Sequence, residues 1–409
     1  MNVLALNAGS SSVKFQLWKT DEPAGGTGSA PLARGLVERI GAAATVAFEQ
    51  DGRPPLRETV ELVDHAAAVG RVVQWLGAGP AGLDAVGHRV VHGGARFVAP
   101  TLIDSSVAHA IEALVELAPL HNGPSLAGIR ACRATLGERT PLVAVFDTAF
   151  HAGLPEHART YGIPHELAER HGIRRFGFHG ISYQSVVARY AALTGLDEAE
   201  VTIVALHLGN GASAAAISRG RSVDTSMGFT PLEGLLMGTR AGDLDPALVG
   251  YLASREGVTV DEVERWLNDR SGLLGISGRS RDMRDLLAAR DADPRARLAV
   301  EVFCHRARKY LGAYLAVLGG ARAVVFTGGI GENSPEVRET ICRDAAWCGL
   351  ALDEGLNRQT VGRPGRISAT GAGLEAWVIP TSEERVIATE TARCVRAHGA
   401  APPRPAPRA

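Results

Sequence analysis

Val3-Leu4-Ala5-Leu6-Asn7-Ala8-Gly9-Ser10-Ser11-Ser12-Val13-Lys14-Phe15-Gln16-Leu17 reads as two strands around a turn of small residues. Residues 3–6 are an unbroken apolar run, the pattern of a buried strand. Residues 13–17 alternate apolar and polar with period two, the pattern of a second strand. The turn over residues 7–12 has no bulk to hold a ligand away. Gly9 allows unusual backbone angles and close approach. The hydroxyls of Ser10, Ser11 and Ser12, the nearby backbone N–H groups and the Lys14 ammonium can together cradle an anion. The same residues also make an ordinary tight hairpin with a solvated lysine. No G-x-x-x-x-G-K-[ST] occurs, so the stretch is not a Walker A loop.

The pattern returns twice. Residues 201–217 run from an apolar strand through His207, Leu208, Gly209, Asn210 and Gly211 into another apolar stretch. Residues 323–333 run from Ala-Val-Val-Phe-Thr into Gly328, Gly329, Ile330, Gly331, Glu332 and Asn333. Three strand-to-glycine turns predict two related halves that present loops to a shared cleft. Gly77-Ala78-Gly79-Pro80-Ala81-Gly82 matches G-x-G-x-x-G, but a helical pattern precedes it and a strand follows. That order is wrong for a dinucleotide fingerprint, and the segment reads as a loop.

The chain has 409 residues, enough for two or three domains and a sizeable core. It is 45% hydrophobic and 21% charged, an ordinary globular balance. A net charge of −1 supplies no global basic field for nucleic acid or a membrane surface. Its five cysteines form no C-x-x-C and no even framework, which fits reduced cytoplasmic thiols. No leader precedes the strand at Val3, and the apolar segment 310–330 is interrupted by glycines and Arg322, so neither a signal peptide nor a membrane span is expected.

Several polar residues stand out along the chain. Arg89 sits among apolar residues, where an unpaired guanidinium is costly. It reads as an edge arginine reaching water or as a clamp for carboxylate or phosphate. His88 and His92 are four apart, but on a strand-to-loop pattern without a zincin glutamate, so zinc is not expected. Asp104 predicts a helix cap, and residues 118–124 a loop. Asp147 follows the apolar strand 142–146, a position that commonly faces a ligand in α/β sheets and is also a common turn cap. His179 lies between glycines just before a predicted helix start at Ser182. Arg240 lies in the glycine-dotted loop 228–246, and could pair with the following aspartates or serve a site. Asp293-Pro294 opens a helix, residues 328–333 read as a loop, and Ser334-Pro335 as the cap of the next helix.

The motifs Leu-Asn-Ala-Gly-Ser-Ser-Ser-Val-Lys-Phe (6–15), Gly-His-Arg-Val-Val-His-Gly-Gly (87–94), Phe-Asp-Thr-Ala-Phe-His (146–151), Phe-Gly-Phe-His-Gly (176–180), His-Leu-Gly-Asn-Gly (207–211) and the long segment 227–246 resemble the acetokinase family, and the resemblance covers residues 1 to about 395. That family lies within the wider group of sugar kinases, Hsp70 and actin. The resemblance implies an α/β fold of two duplicated ribonuclease-H-like domains, mixed sheets flanked by helices, with an interdomain cleft. It implies an N-terminal domain over 1–150, a nucleotide-binding domain over 151–383, a helix over 384–399 returning to the first domain, and a disordered tail over 400–409.

The resemblance also implies an activity: reversible, direct in-line transfer of the ATP γ-phosphoryl to acetate, giving acetyl phosphate and ADP, with Mg²⁺ (or Mn²⁺). Arg89, Asp147, His179 and Arg240 are the implied reaction-centre residues. Lys14, Ser10, Ser12, His207, Leu208, Gly209, Asn210, Gly211, Asp282, Met283, Arg284, Gly329, Ile330, Gly331, Glu332 and Asn333 are implied at the nucleotide. Arg89, Val91, Leu120, Phe178 and Pro231 are implied at the acyl substrate, and Asn7 and Glu383 at the metal. A cytoplasmic homodimer with no nucleic-acid or membrane partner is also implied. The chain departs from the family pattern at Ser382, usually Asn, and at Arg281, usually small and polar. Two competing readings are a relative acting on propionate or butyrate, and an ATP-binding module without enzymatic activity.

Overall fold

The computed structural model describes residues 1–9, 11–20, 30–77 and 82–399, without the side chains of 117 and 119–121. Ser10, most of the glycine segment 77–82 and the tail 400–409 therefore lie outside the described residues. Two compact units form. One comprises Met1–Ala152, Gly180–Ala188 and the chain from Ser382, the other Gly153–His179 and Arg189–Thr381.

The first unit holds an eight-stranded mixed sheet, made of β1 (Asn2–Ala8), β2 (Ser12–Lys19), β3 (Ala33–Glu38), β4 (Ala43–Gln50), β5 (Leu56–Glu61), β6 (Ala85–Val90), β7 (Thr101–Leu102) and β8 (Leu142–Phe146). Their order is β5-β4-β3-β2-β1-β6-β8-β7. Strands β1, β2 and β3 form an antiparallel meander, and β1, β6 and β8 run parallel. The second unit holds β9 (Ile203–Leu208), β10 (Ala212–Ser218), β11 (Arg221–Thr225), β12 (Ala323–Thr327), β13 (Gly365–Arg366) and β14 (Glu375–Val378), ordered β11-β10-β9-β12-β14-β13. Here too a meander of three strands adjoins a parallel set, β9, β12 and β14. The internal echo in the sequence is thus a duplicated sheet plan.

The opening hairpin is tighter than its sequence suggests. Pairing runs out to Asn7 opposite Lys14 and Ala8 opposite Val13, so the strands reach into the stretch that reads as the turn. The Gly9 N–H donates to the Ser12 carbonyl at 2.8 Å. The apolar run of β1 reflects burial on both sides. Leu4 and Leu6 join one core with Phe15, Phe48 and Val86, while Val3 and Ala5 join another with Val143, Val145 and Ile387. The second core is supplied by the helix Glu383–Ala397, which packs on β1, β6 and β8.

Three local expectations are corrected. Residues 118–124 are not a loop, because the helix Pro119–Leu136 begins there with proline in its first turn and runs through Pro124. The glycine segment after β12 is a short helix, Gly328–Asn333. Its first residue has φ 76°, and a Cβ there would lie 2.7 Å from the Leu208 carbonyl oxygen, so glycine is required by both conformation and space. Ser334 precedes the helix Pro335–Cys342 without a side-chain capping bond. Elsewhere Asp104 caps its helix through Val107, and Asp293-Pro294 opens the helix Pro294–Leu318. Among the described residues no helix is long and apolar enough to cross a membrane.

His88 belongs to the core and not to a site. It is 2% exposed, on the same side of β6 as Val86 and Val90, and its Nε2 finds no hydrogen-bond partner among the described residues. Burial, and secondarily the Arg133 guanidinium, lowers its pKa to about 3. The folded imidazole stays neutral while the unfolded one protonates near pH 6.5, so its contribution is whole above that pH and is lost as pH falls toward 3. Each pH unit in that window costs up to about 1.4 kcal/mol. Between pH 6.5 and 5 the wild-type chain is expected to lose about 2 kcal/mol more unfolding free energy than His88→Gln. Urea unfolding at both pH values checks this, and parallel losses in the two proteins would contradict it.

Candidate functional site

In the first unit, candidate site side chains gather at the C-terminal ends of the parallel strands, where α/β sheets commonly bind ligands. Arg89 is the penultimate residue of β6, Asn7 is near the end of β1, and Asp147 immediately follows β8. The Arg89 guanidinium donates to both Asp147 carboxylate oxygens, from Nε at 3.1 Å and Nη2 at 2.6 Å. Its Nη1 donates to Asn7 Oδ1 at 3.3 Å, and Glu383 Oε2 lies 3.8 Å from Nε. Among the described residues three of the five guanidinium N–H groups are engaged and two are not. Burial alone would favour loss of the Arg89 proton. Asp147 first, then Glu383, more than offset this and raise its pKa, so the cation is fixed. The Asp147 side chain is 1% exposed and that of Arg89 18%. The sequence left Arg89 open as an edge arginine or a clamp, and the structure makes it a held cation with its plane set by a buried carboxylate.

Around this pair the chain is held closely. Gly180 starts the helix Gly180–Thr194 against the Asp147 backbone, and a Cβ there would strike the Asp147 carbonyl and sit 2.7 Å from the Phe150 Cβ. Lys14, half-exposed, forms an ion pair with the buried Glu384 at 2.7 Å. Ser12 ends the hairpin turn through its backbone carbonyl. Val91 is buried, and Leu120 lies in the first turn of Pro119–Leu136 with its side chain outside the description. Asn122 grips the His92 backbone, accepting from its N–H and donating to its carbonyl, both at 3.0 Å.

The second unit gathers a different group. His179 adopts the left-handed conformation, φ 57°, uncommon for a residue with a side chain and characteristic of functional positions. Its Nδ1 is 2.8 Å from Ser213 Oγ, and its ring stacks on His207 at a centroid separation of 4.1 Å. A Cβ on Gly211 would lie 3.3 Å from His179 Nε2 and 3.9 Å from Arg240 Nη1, which places the three together. Phe178 is buried, and the Pro231 carbonyl accepts from Arg240 Nη1 at 3.1 Å. Arg240 makes no ion pair with the aspartates that follow it. Asp243 instead accepts from Gly234 and Tyr310. Burial lowers the Arg240 pKa, and Asp269 offsets this only in part.

Beside this group lies a cavity of about 570 Å³, lined by Gly209, Asn210, Arg281, Asp282, Met283, Arg284, Gly329, Ile330, Asn333 and Ser334. Three separated sequence segments assigned to one nucleotide therefore converge on one space. The turn 207–211 joins the two features: Gly209 and Asn210 face the cavity, and Gly211 faces His179 and Arg240. Leu208 is buried, and Gly331 and Glu332 are not in the lining. Glu332 accepts from the backbone N–H of Gly328 at 2.9 Å and of Thr381 at 3.1 Å. Arg281, one of the two departures from the family pattern, is in the lining; the other, Ser382, donates its N–H to Ser185 Oγ.

Residues that the sequence did not single out are the ones that hold others in place. Arg338 is fully buried and donates to the carbonyl oxygens of Gly331, Glu332, Asn357 and Thr360 and to Asn357 Oδ1. Asn122, Ser213 and Glu384 act similarly, and nothing in their local sequence marks them. Among the described residues no group of three or more His, Cys, Asp or Glu forms a metal cluster. Asn7 and Glu383 supply two oxygen-bearing side chains on either side of the Arg89 guanidinium.

The model of the acetokinase family matches residues 2–389. An acetate kinase from Chloroherpeton thalassium is 49% identical, over 97% of this chain and 99% of the relative. The crystal structure of Porphyromonas gingivalis acetate kinase superimposes with a TM-score of 0.87 at 38% identity, covering 96% of this chain and 99% of that one. A propionate kinase from Francisella tularensis does so with a TM-score of 0.89, also at 38% identity, with the same coverage. The chain belongs to the acetokinase family.

Proposed function

We propose that the chain reversibly transfers the γ-phosphoryl of ATP to acetate, giving acetyl phosphate and ADP, by direct in-line transfer. The observation that carries this is Arg240, a largely buried guanidinium with no carboxylate ion-pair partner among the described residues, set beside the His179 imidazole and the 570 Å³ cavity. A buried cation without an anion invites one from a ligand. In this reading the cavity takes the nucleotide, and the turn 207–211, which borders the cavity at Gly209 and Asn210 and meets His179 and Arg240 at Gly211, carries the phosphoryl chain toward those two side chains.

The chemistry fits the acid substrate. A short carboxylic acid resembles a glutamate side chain, with a pKa of roughly 4.5, so at pH 7 the nucleophile is already ionised. No proton has to be removed. The obstacle is the approach of one anion to another, and phosphoryl transfer is chiefly positioning and charge stabilisation. In this reading the two open N–H groups of Arg89 orient the acid or the phosphoryl, and Asp147 sets the plane of Arg89. Val91 and Leu120 contact the acyl methyl, and Arg240 and His179 stabilise charge on the transferring group. Lys14 and Ser12 act at the phosphate end. Asn7 and Glu383 would hold Mg²⁺ largely through water, as suits an ion that keeps most of its hydration, and the ion supplies charge neutralisation at the phosphate oxygens. A cytoplasmic homodimer belongs to the same reading, on the family resemblance.

Propionate is the second substrate worth testing, because a propionate kinase superimposes as well as an acetate kinase does. Incubation with ATP, Mg²⁺ and acetate, propionate or butyrate, with hydroxylamine trapping the acyl phosphate, tests the proposal. Acetyl hydroxamate in preference to the others is expected. Preference for a longer acid would reassign the substrate, and no hydroxamate from any acid would overturn the activity. Arg240→Ala is expected to lower kcat by ~10³-fold with KM for ATP little changed, since a phosphoryl clamp acts mostly in the transition state. Activity within about tenfold of wild type would remove Arg240 from the reaction centre.

A further inference from the structure

The backbone just beyond β6 is held largely by side chains, with one backbone bond from the Phe97 N–H to the Gly93 carbonyl at 3.0 Å. Strand β6 ends at Val90, and after Val91 the chain turns away through His92, Gly93 and Gly94. Among the described residues no strand pairs with that segment. Instead Asn122, fully buried, uses its amide as a surrogate strand: Oδ1 accepts from the His92 N–H and Nδ2 donates to the His92 carbonyl, both at 3.0 Å. The Gly93 N–H donates to Thr148 Oγ1 at 3.0 Å, and the Gly94 N–H to the His92 ring at 2.9 Å. Thr148 follows Asp147, so the Arg89 partner and the anchor of this loop are consecutive residues. Asn122 also lies in the first turn of the helix that carries Leu120. One side chain therefore ties together the two segments that bear Val91 and Leu120.

We infer that Asn122 is a positioning residue that sets acyl-chain length discrimination, by fixing the backbone beside Val91. The inference rests on the reading that Val91 meets the acyl group. A rigid apolar wall rejects an extra methylene, whereas a loosened one yields to it, and a well-fitted pocket can discriminate one methylene by about 10–200-fold. Asn122→Ala removes both bonds to His92. Asn122→Asp keeps an acceptor for the His92 N–H but sets a carboxylate against the His92 carbonyl.

The experiment measures kcat/KM for acetate and propionate, together with KM for ATP, on the full-length wild type, Asn122→Ala, Asn122→Asp, Val91→Ala and the double variant Val91→Ala/Asn122→Ala. The acetate-to-propionate ratio is expected to fall at least about threefold in Asn122→Ala, with KM for ATP within about twofold, and to change little more when Asn122→Ala is added to Val91→Ala. If the alanine variant does not fold, Asn122→Asp must lower the ratio in the same direction. Equal losses with both acids would make Asn122 merely structural and overturn the inference. A ratio moved by Val91→Ala but by neither Asn122 variant would overturn the inference and leave the acyl-pocket reading intact. A ratio moved by none of the variants would overturn both.

Discussion

The pairing of Arg89 with Asp147 is the interaction on which the first unit's functional geometry depends. A guanidinium at the end of a buried strand is tolerable only when its charge is met. Asp147 meets it with two hydrogen bonds and is itself almost fully buried, so neither partner can turn away. The pair fixes the guanidinium plane and leaves N–H groups over for a ligand. Gly180 lies against the Asp147 backbone, Asn7 and Glu383 flank the cation, and Thr148 anchors the next loop. Each of these features follows from the need to hold one charge in one orientation.

The second unit solves the complementary problem in the opposite manner. Its arginine, Arg240, is held by the Pro231 carbonyl and makes no carboxylate ion pair among the described residues, with Asp269 offsetting its burial only in part. The two arginines are therefore not equivalent: Arg89 is ion-paired and positioned, whereas Arg240 has no ion-pair partner among the described residues. Strand plans that match in the two sheets carry these different solutions. The β1–β2 hairpin places Asn7 opposite Lys14, and the β9–β10 hairpin places His207 opposite Ser213. The fold supplies equivalent positions, and the residues at them supply the chemistry.

Much of this was legible in the sequence because strands and glycine turns have short-range causes. The hairpin at residues 3–17, its echo at 201–217 and the strand before Asp147 follow from apolar runs and small residues alone. The family resemblance selected segments that converge on the 570 Å³ cavity. What stayed hidden has long-range causes. Residues 118–124 look like a loop because Pro119, Gly123 and Pro124 punctuate them, yet the helix Pro119–Leu136 takes proline at its start and packs against the sheet. Asn122 gains its role from His92, thirty positions away, and Arg338 from residues near Asn357. The spacing of His88 and His92 argued against zinc but did not show that His88 is a buried, neutral core residue. A polar residue's partner across the fold leaves no trace in its neighbours along the chain.

The central claim is that this chemistry is charge stabilisation without a general base, with Asp147 serving Arg89. The most direct test is the pH dependence of kcat between pH 6 and 9 at saturating Mg²⁺, for the wild type and Asp147→Asn, with acetate fully ionised throughout. The account predicts no acidic limb in the wild type assignable to a base titrating near neutrality, because the carboxylate nucleophile offers no proton to abstract. It predicts a large fall in kcat for Asp147→Asn, with the same flat profile. A neutral-range limb in the wild type that disappears in Asp147→Asn would contradict it and make Asp147 an acid–base group.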